Sequence, residues 1–201
     1  MELSLTLGIA AGISIFSFLA FSRPQLMERF IMSPYLITQR NEWPRLLVSG
    51  FLHADWGHLL FNMIALFFFG RLVESFLGPL HLAGVFLSGI LIGNLAAFPK
   101  HKDNPAYRAL GASGGVAAVL FCSIIFFPQN EIIIFPIPIP IKAYFFAPLY
   151  LIYSHYQAKR GSDNIAHDAH LYGSLAGVVY AFIANTDEAI RMFDKIMASI
   201  G

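Results

Sequence analysis

Four polar side chains capable of proton transfer or hydrogen bonding stand inside, or at the edge of, strongly apolar segments: His53, His58, Asn62 and His170. Such groups are costly in apolar surroundings, so each is a functional hypothesis. His58 and Asn62 are four residues apart and share one helix face. His53 lies just before that helix. His170 opens a later apolar segment, with His167 three residues earlier on the same face. A separate string, Gly111-Ala112-Ser113-Gly114-Gly115, begins another apolar run. A serine at a helix start sits beside free backbone N–H groups and the positive end of the helix dipole. That arrangement can hold an oxyanion, and the small flanking residues Gly111 and Gly114 let a second backbone approach. A hydroxyl needs a base to become nucleophilic at neutral pH. After His170 come Gly173 and Gly177, four apart, a small face suited to tight helix contact. Packing of that face on Gly114 and Gly115 would bring His170 to Ser113. Each group taken singly fits a satisfied polar residue or a helix-packing glycine string; together they point to acyl transfer by a serine–histidine pair.

The elements that must position these groups are apolar helices. The chain is 57% hydrophobic and only 12% charged, about half the charge of a soluble domain. Its mean hydropathy is +0.63. A soluble protein this apolar could not cover its surface. The net charge of +1 suggests no nucleic-acid partner. The single cysteine, Cys122, lies in an apolar run and reads as packing. Six candidate spans are predicted: Leu3–Ser22, Asp55–Ser75, Leu80–Phe98, Ser113–Phe127, Ile141–Tyr156 and Asp168–Ala184. They predict an all-α, single-domain helical bundle over 1–201. The first span lacks the positive n-region of a signal peptide and reads as a retained helix.

The connections also carry expectations. Arg23 to Gly50, with Trp43 and Pro44, is too long for a hairpin and should fold onto the membrane surface. Pro136-Ile137-Pro138-Ile139-Pro140 cannot be helical. Lys159–Asn164, with Gly161, reads as a mobile loop over the site. Asp187–Ile200 reads as an amphipathic tail suited to an interface. The fourth span, at roughly 22 Å, is shorter than the hydrocarbon layer, so its Ser113 end should lie below one membrane face in a wet cavity.

Three motifs resemble the rhomboid family. His53-Ala-Asp-Trp-Gly-His58-Leu-Leu-Phe-Asn62 is similar to the signature of its second helix, Gly111-Ala112-Ser113-Gly114 to its nucleophile motif, and Ala169-His170-Leu171-Tyr172-Gly173 to its base motif. Trp43 and Arg45, and Glu74 near Gly78, are lesser matches. The resemblance implies an intramembrane serine endopeptidase. Ser113 would be nucleophile, and His170 base and then acid. His58, Asn62 and the Ser113 N–H would serve the oxyanion. His53 would support the cavity, structurally or by handling water, and His167 would be secondary. It implies transmembrane protein substrates, contact with membrane lipid, no cofactor and no metal. It further implies a multi-pass integral protein, expected in a prokaryotic plasma membrane. Substrates would enter sideways, with the aromatic-rich fifth span (Tyr144, Phe145, Phe146, Tyr150, Tyr153) as the gate beside the second.

Two positions depart from the family pattern. Ala117 stands where an aromatic residue often stacks on the base, leaving Tyr172 or a fifth-span aromatic to orient His170. Pro44 separates Trp43 from Arg45. Orientation is in conflict. The family topology leaves only Arg71, Lys142, Arg191 and Lys195 of the thirteen basic residues on the cytoplasmic side, whereas the positive-inside rule prefers the reverse. Two other functions were weighed: a non-catalytic relative that binds transmembrane helices, and a metalloenzyme built on His53, His58, His167, His170 and Asp168.

Overall fold

The computed structural model describes residues 4–134, 137–160 and 166–200. The chain is dominated by helices: α1 (Leu5–Phe21), α2 (Pro24–Phe30), α3 (Pro34–Arg40), α4 (Arg45–Val48), α5 (Trp56–Leu77), α6 (Pro79–His101), α7 (Ser113–Phe126), α8 (Ala143–Arg160), α9 (His167–Ala184) and α10 (Thr186–Ile200). Six of these, α1 and α5 to α9, coincide with the six apolar segments expected from sequence, to within a few residues at either end. Among the described residues, α5 and α6 are each long and apolar enough to cross a membrane, and α1 joins them if taken with α2 across a 120° bend. α7 is apolar but short. The first turn of α9 holds His167, Asp168 and His170, so the residues of chemical interest themselves dilute its hydropathy.

Among the described residues, two short strands depart from the all-α expectation. Glu131–Ile134 (β1) and Ile137–Lys142 (β2) pair antiparallel, with an irregularity at Ile133/Ile134. The described part of the Pro-rich stretch, Ile137–Pro140, is extended, in line with the exclusion of helix by proline. The expected fifth span loses Ile141 and Lys142 to this hairpin and starts at Ala143. The anticipated mobile loop around Gly161 lies outside the described residues.

Local chemistry explains the boundaries. Asp55 caps α5, its carboxylate accepting from the His58 N–H at 2.8 Å. Gly78, at φ +95°, turns the chain directly from α5 into α6, where Pro79 takes the first helical position. Glu74 of α5 caps another helix: its carboxylate accepts from the N–H groups of Leu5 and Thr6 and the hydroxyls of Ser4 and Thr6, fastening α1 to α5. The segment after α1 folds into α2, α3 and α4. The buried Arg45 binds it together, donating to Glu42 and to the carbonyls of Glu28 and Ile31, while Trp43 stacks on Phe98 of α6. These contacts give the lesser family matches a structural reason.

α7 is the centre of the molecule. Its neighbours are α6 on one side, α9 on another and α5 on a third, and the main core cluster runs from Ile13 through Leu66, Phe86, Val119 and Cys122 to Ala181. α10 tucks Ala189 into this core and leaves Ile190, Phe193 and Met197 exposed, the amphipathic pattern expected of the tail.

Candidate active site

Ser113 is the first residue of α7, so the N–H groups of Ser113, Gly114 and Gly115 precede the first bond of the helix, from Val116 N–H to Ala112 O at 2.8 Å. They are the donors a helix start leaves unspent. The loop leading in is held at three points. Met32 and Ala109 exchange backbone bonds at 2.9 and 3.1 Å, Gly111 N–H donates to Ser49 O at 3.1 Å, and Ala112 N–H donates to His53 Nε2 at 3.4 Å. Gly111 has φ +119°, a conformation open to glycine, and a β-carbon there would stand 2.6 Å from Cε1 and 2.8 Å from Nε2 of His58. The His58 imidazole therefore lies against the backbone two residues before Ser113.

His170 arrives from α9, and its Nε2 is 2.8 Å from Ser113 Oγ. Glycine contact makes this approach possible. A β-carbon on Gly173 would overlap the carbonyl of Gly114, and one on Gly177 the carbonyl of Ala118. The expected pairing thus holds for Gly114. Gly115 instead faces the Phe86 backbone of α6, and Gly89 and Gly93 of α6 meet α7 and Ala169 equally closely. Three helices meet backbone to backbone around the serine.

Of the two roles expected for His53, its contacts fit the structural one. It is fully buried, as is Ser17 of α1. Its Nε2 accepts from Ala112, its Nδ1 pairs with Ser17 Oγ at 2.9 Å, and Ser17 donates on to Phe51 O at 3.0 Å. One proton on Nδ1 satisfies every link. His53 is a buried bracket for the nucleophile loop, with no side left for water. Its ring also meets His58 edge to face at 4.9 Å.

Asn62 shares the His58 face and is buried, but spends one amide hydrogen on the carbonyl of His58 at 2.9 Å, leaving one for another acceptor. His167 proves closer to the chemistry than its spacing suggested: its ring stands edge to face with His170 at 5.8 Å and with Tyr153 of α8 at 5.9 Å. His167 thus sets a ring edge against His170, while Tyr172 is 43% exposed. Asp168 is engaged by Lys100 Nζ at 3.1 Å, and that ammonium also donates to Ala158 O at 2.9 Å, tying the ends of α6 and α8 to the start of α9. The residues of the metalloenzyme alternative are spread over these separate partnerships. Among the described residues no three His, Cys, Asp or Glu side chains are grouped to hold a metal ion.

Sequence reading missed two residues. Asn94, buried in α6, donates to Leu46 O at 2.8 Å and Ser49 Oγ at 3.1 Å, anchoring the segment that carries Gly111. An amide in an apolar span is the signal that flagged Asn62, and applied evenly it finds Asn94. Ser17 has no such signal, because serine is common in membrane helices.

A helical membrane protein with a serine at one helix start and a histidine docked on it by glycine packing defines a class. The Rhomboid domain family model matches residues 40–186, which contain every site residue above except Ser17. The chain belongs to the rhomboid family. It is similar to RHOMBOID-like protein 12, mitochondrial, of Arabidopsis thaliana, 30% identical over 78% of this chain and 52% of that protein. It is similar to Rhomboid protein 1, mitochondrial, of Saccharomyces cerevisiae, 32% identical over 67% of this chain and 40% of that protein. A Bacillus subtilis relative carrying the words rhomboid protease in its name is 33% identical over 46% of each chain. The chain thus spans about half the length, or less, of the curated relatives it matches. These relatives correct one expectation. A prokaryotic plasma membrane does not stand as the location, because the first two of these relatives, matched over two thirds or more of this chain, are eukaryotic mitochondrial proteins. Membrane embedding itself is retained.

Proposed function

We propose that the protein is an intramembrane serine endopeptidase acting on transmembrane proteins, with Ser113 and His170 as its catalytic pair. The observation that carries this reading is the 2.8 Å approach of His170 Nε2 to Ser113 Oγ at the start of α7. Family membership, and the name of the Bacillus subtilis relative, support it.

In this reading Ser113 Oγ attacks the scissile carbonyl carbon while its proton passes to His170 Nε2. The carbonyl oxygen becomes an oxyanion beside the Ser113 N–H, His58 and the remaining amide hydrogen of Asn62. The C–N bond then breaks, His170 returns the proton to the leaving amine, and water, activated by the same imidazole, hydrolyses the acyl ester. Gly111, Gly114 and Gly173 hold the geometry. α1 and α5 to α9 form the six-helix transmembrane core. α7, fourteen residues or roughly 21 Å long, leaves Ser113 below one membrane face in a cavity that admits water. Substrate helices reach it sideways past α8.

The test is cleavage of a reference transmembrane substrate by the purified protein in detergent and in liposomes. Wild type should cleave, and Ser113→Ala and His170→Ala should each lose all cleavage, with the double variant no worse than either. Cleavage retained by Ser113→Ala overturns the proposal. Binding of the substrate without cleavage by wild type leaves the non-catalytic helix-binding relative instead.

A further inference from the structure

A second site lies away from the serine, in the segment between α1 and α5. Pro24, Leu36 and the polar residues Gln25, Glu28, Arg29, Arg40, Glu42 and Arg45 line an open concavity of about 530 Å³. Its base is Arg45, whose side chain is 5% exposed. The Arg45 guanidinium has five N–H donors. Nε is used by Glu42 at 2.6 Å, and Nη1 by the carbonyls of Glu28 and Ile31, both at 2.8 Å. The two hydrogens of Nη2 have no partner among the described residues, on a side chain that lines the concavity. Nη2 itself is not sealed from solvent, so its two hydrogens can be reached by an acceptor that enters the concavity.

The charges around that base favour an anion. Glu42 is neutralised by Arg45. Arg29 and Arg40 are exposed at the rim and no carboxylate pairs with them among the described residues, Arg29 lying against the Phe30 ring instead. Against these two arginines stands the single carboxylate of Glu28. Guanidinium groups converging on one volume form the fork that binds phosphate.

Two neighbours select the source of that phosphate. α1 bends by 120° into α2, so the concavity sits where the apolar helix leaves the bundle. Trp43 and Leu47, in the same segment, are 51% and 37% exposed, and tryptophan marks the membrane–water boundary. We infer that the concavity between α2, α3 and α4 is a binding site for the head-group phosphate of a membrane phospholipid, held by Arg29, Arg40 and the free Nη2 of Arg45. Because α4 leads into Ser49, whose carbonyl holds Gly111, bound lipid would brace the segment that carries the nucleophile loop.

Arg29 and Arg40 are exposed and outside the active-site machinery, so their variants should fold. The experiment is native mass spectrometry of the full chain released from nanodiscs of phosphatidylglycerol and phosphatidylcholine, wild type against Arg29→Ala/Arg40→Ala, with Lys195→Ala as a charge control. Wild type and the control should retain a phospholipid, and the double variant should hold it about fivefold more weakly for each arginine removed. Fluorophosphonate labelling of Ser113 in detergent without added lipid should be equal in all three. Equal lipid retention by the double variant overturns the site. A second arm adds inorganic phosphate at millimolar concentration. If inorganic phosphate alone binds and displaces the lipid, the ligand is a soluble anion and the assignment to lipid fails.

Discussion

α7 and α8 are neighbours in the bundle, yet they are held in opposite ways. Twelve of the fourteen residues of α7 are buried, and glycine lets α6 and α9 press on it backbone to backbone. On α8 only Ala143 and Ser154 are buried among the side chains described, while Phe145, Leu149, Ile152, Tyr153 and Tyr156 are more than half exposed. Its inner contact is a patch of rings and aliphatics: Phe146 and Tyr150 on Phe121, Leu120 and Phe69. Backbone contact has no rotamers to rearrange, so it fixes the distance between Ser113 and His170. Side-chain contact can yield one ring at a time. The difference places rigidity at Ser113 and His170 and looser packing at α8, the side by which, in the proposed function, a substrate helix would come. α8 packs chiefly on α9 and α7, and Phe69 of α5 joins the same cluster of side chains.

The largest effects should come from breaking the rigid side. Gly173→Ala and Gly177→Ala each drive a methyl into a carbonyl of α7, an overpacking that costs ~1–3 kcal/mol or more. Thermal unfolding in detergent should show the loss, and substrate cleavage and fluorophosphonate labelling should fall together because the serine–histidine distance opens. Labelling at the wild-type rate in both variants would show that glycine contact does not set that distance.

Middle-sized effects should come from loosening α8. Phe146→Ala and Tyr150→Ala remove half-buried rings, so each should lower thermal stability by less than the ~3–5 kcal/mol of a full core truncation. Cleavage of a transmembrane substrate should rise, while labelling by a water-borne fluorophosphonate stays unchanged. If transmembrane cleavage is unchanged or falls with labelling intact, α8 is not the route of access.

The smallest effect tests the hinge between the two regions. Lys100→Met removes the ammonium that ties α6 and α8 to Asp168, but the pair is largely exposed and such pairs contribute ~0–1 kcal/mol. Melting should barely shift, and cleavage should change by less than in the α8 variants. A loss as deep as that of Gly173→Ala would place this corner with the rigid side.

What the sequence made legible follows the same division. The positions of the apolar helices, Ser113, His170 and the His58–Asn62 face could be read because each rests on composition or on spacing within one helix. The partners of His53 could not, since Ser17 lies 36 residues before it and Ala112 59 residues after, and no periodicity links them. Gly173 and Gly177 announced a tight face, but their opposing residues, Gly114 and Ala118, depend on the register between α7 and α9. The β1–β2 hairpin was legible only as a stretch that could not be helical. Proline excludes a helix without specifying a strand partner.

The proposed function requires Ser113 to be a nucleophile activated by His170. The most direct measurement is treatment of the wild-type protein with a fluorophosphonate probe, with the adduct mapped by mass spectrometry of its peptides. A single adduct on Ser113 is predicted, strongly reduced in His170→Ala and unaffected in Cys122→Ala. An adduct on another residue, or equal labelling of Ser113 in His170→Ala, would contradict it.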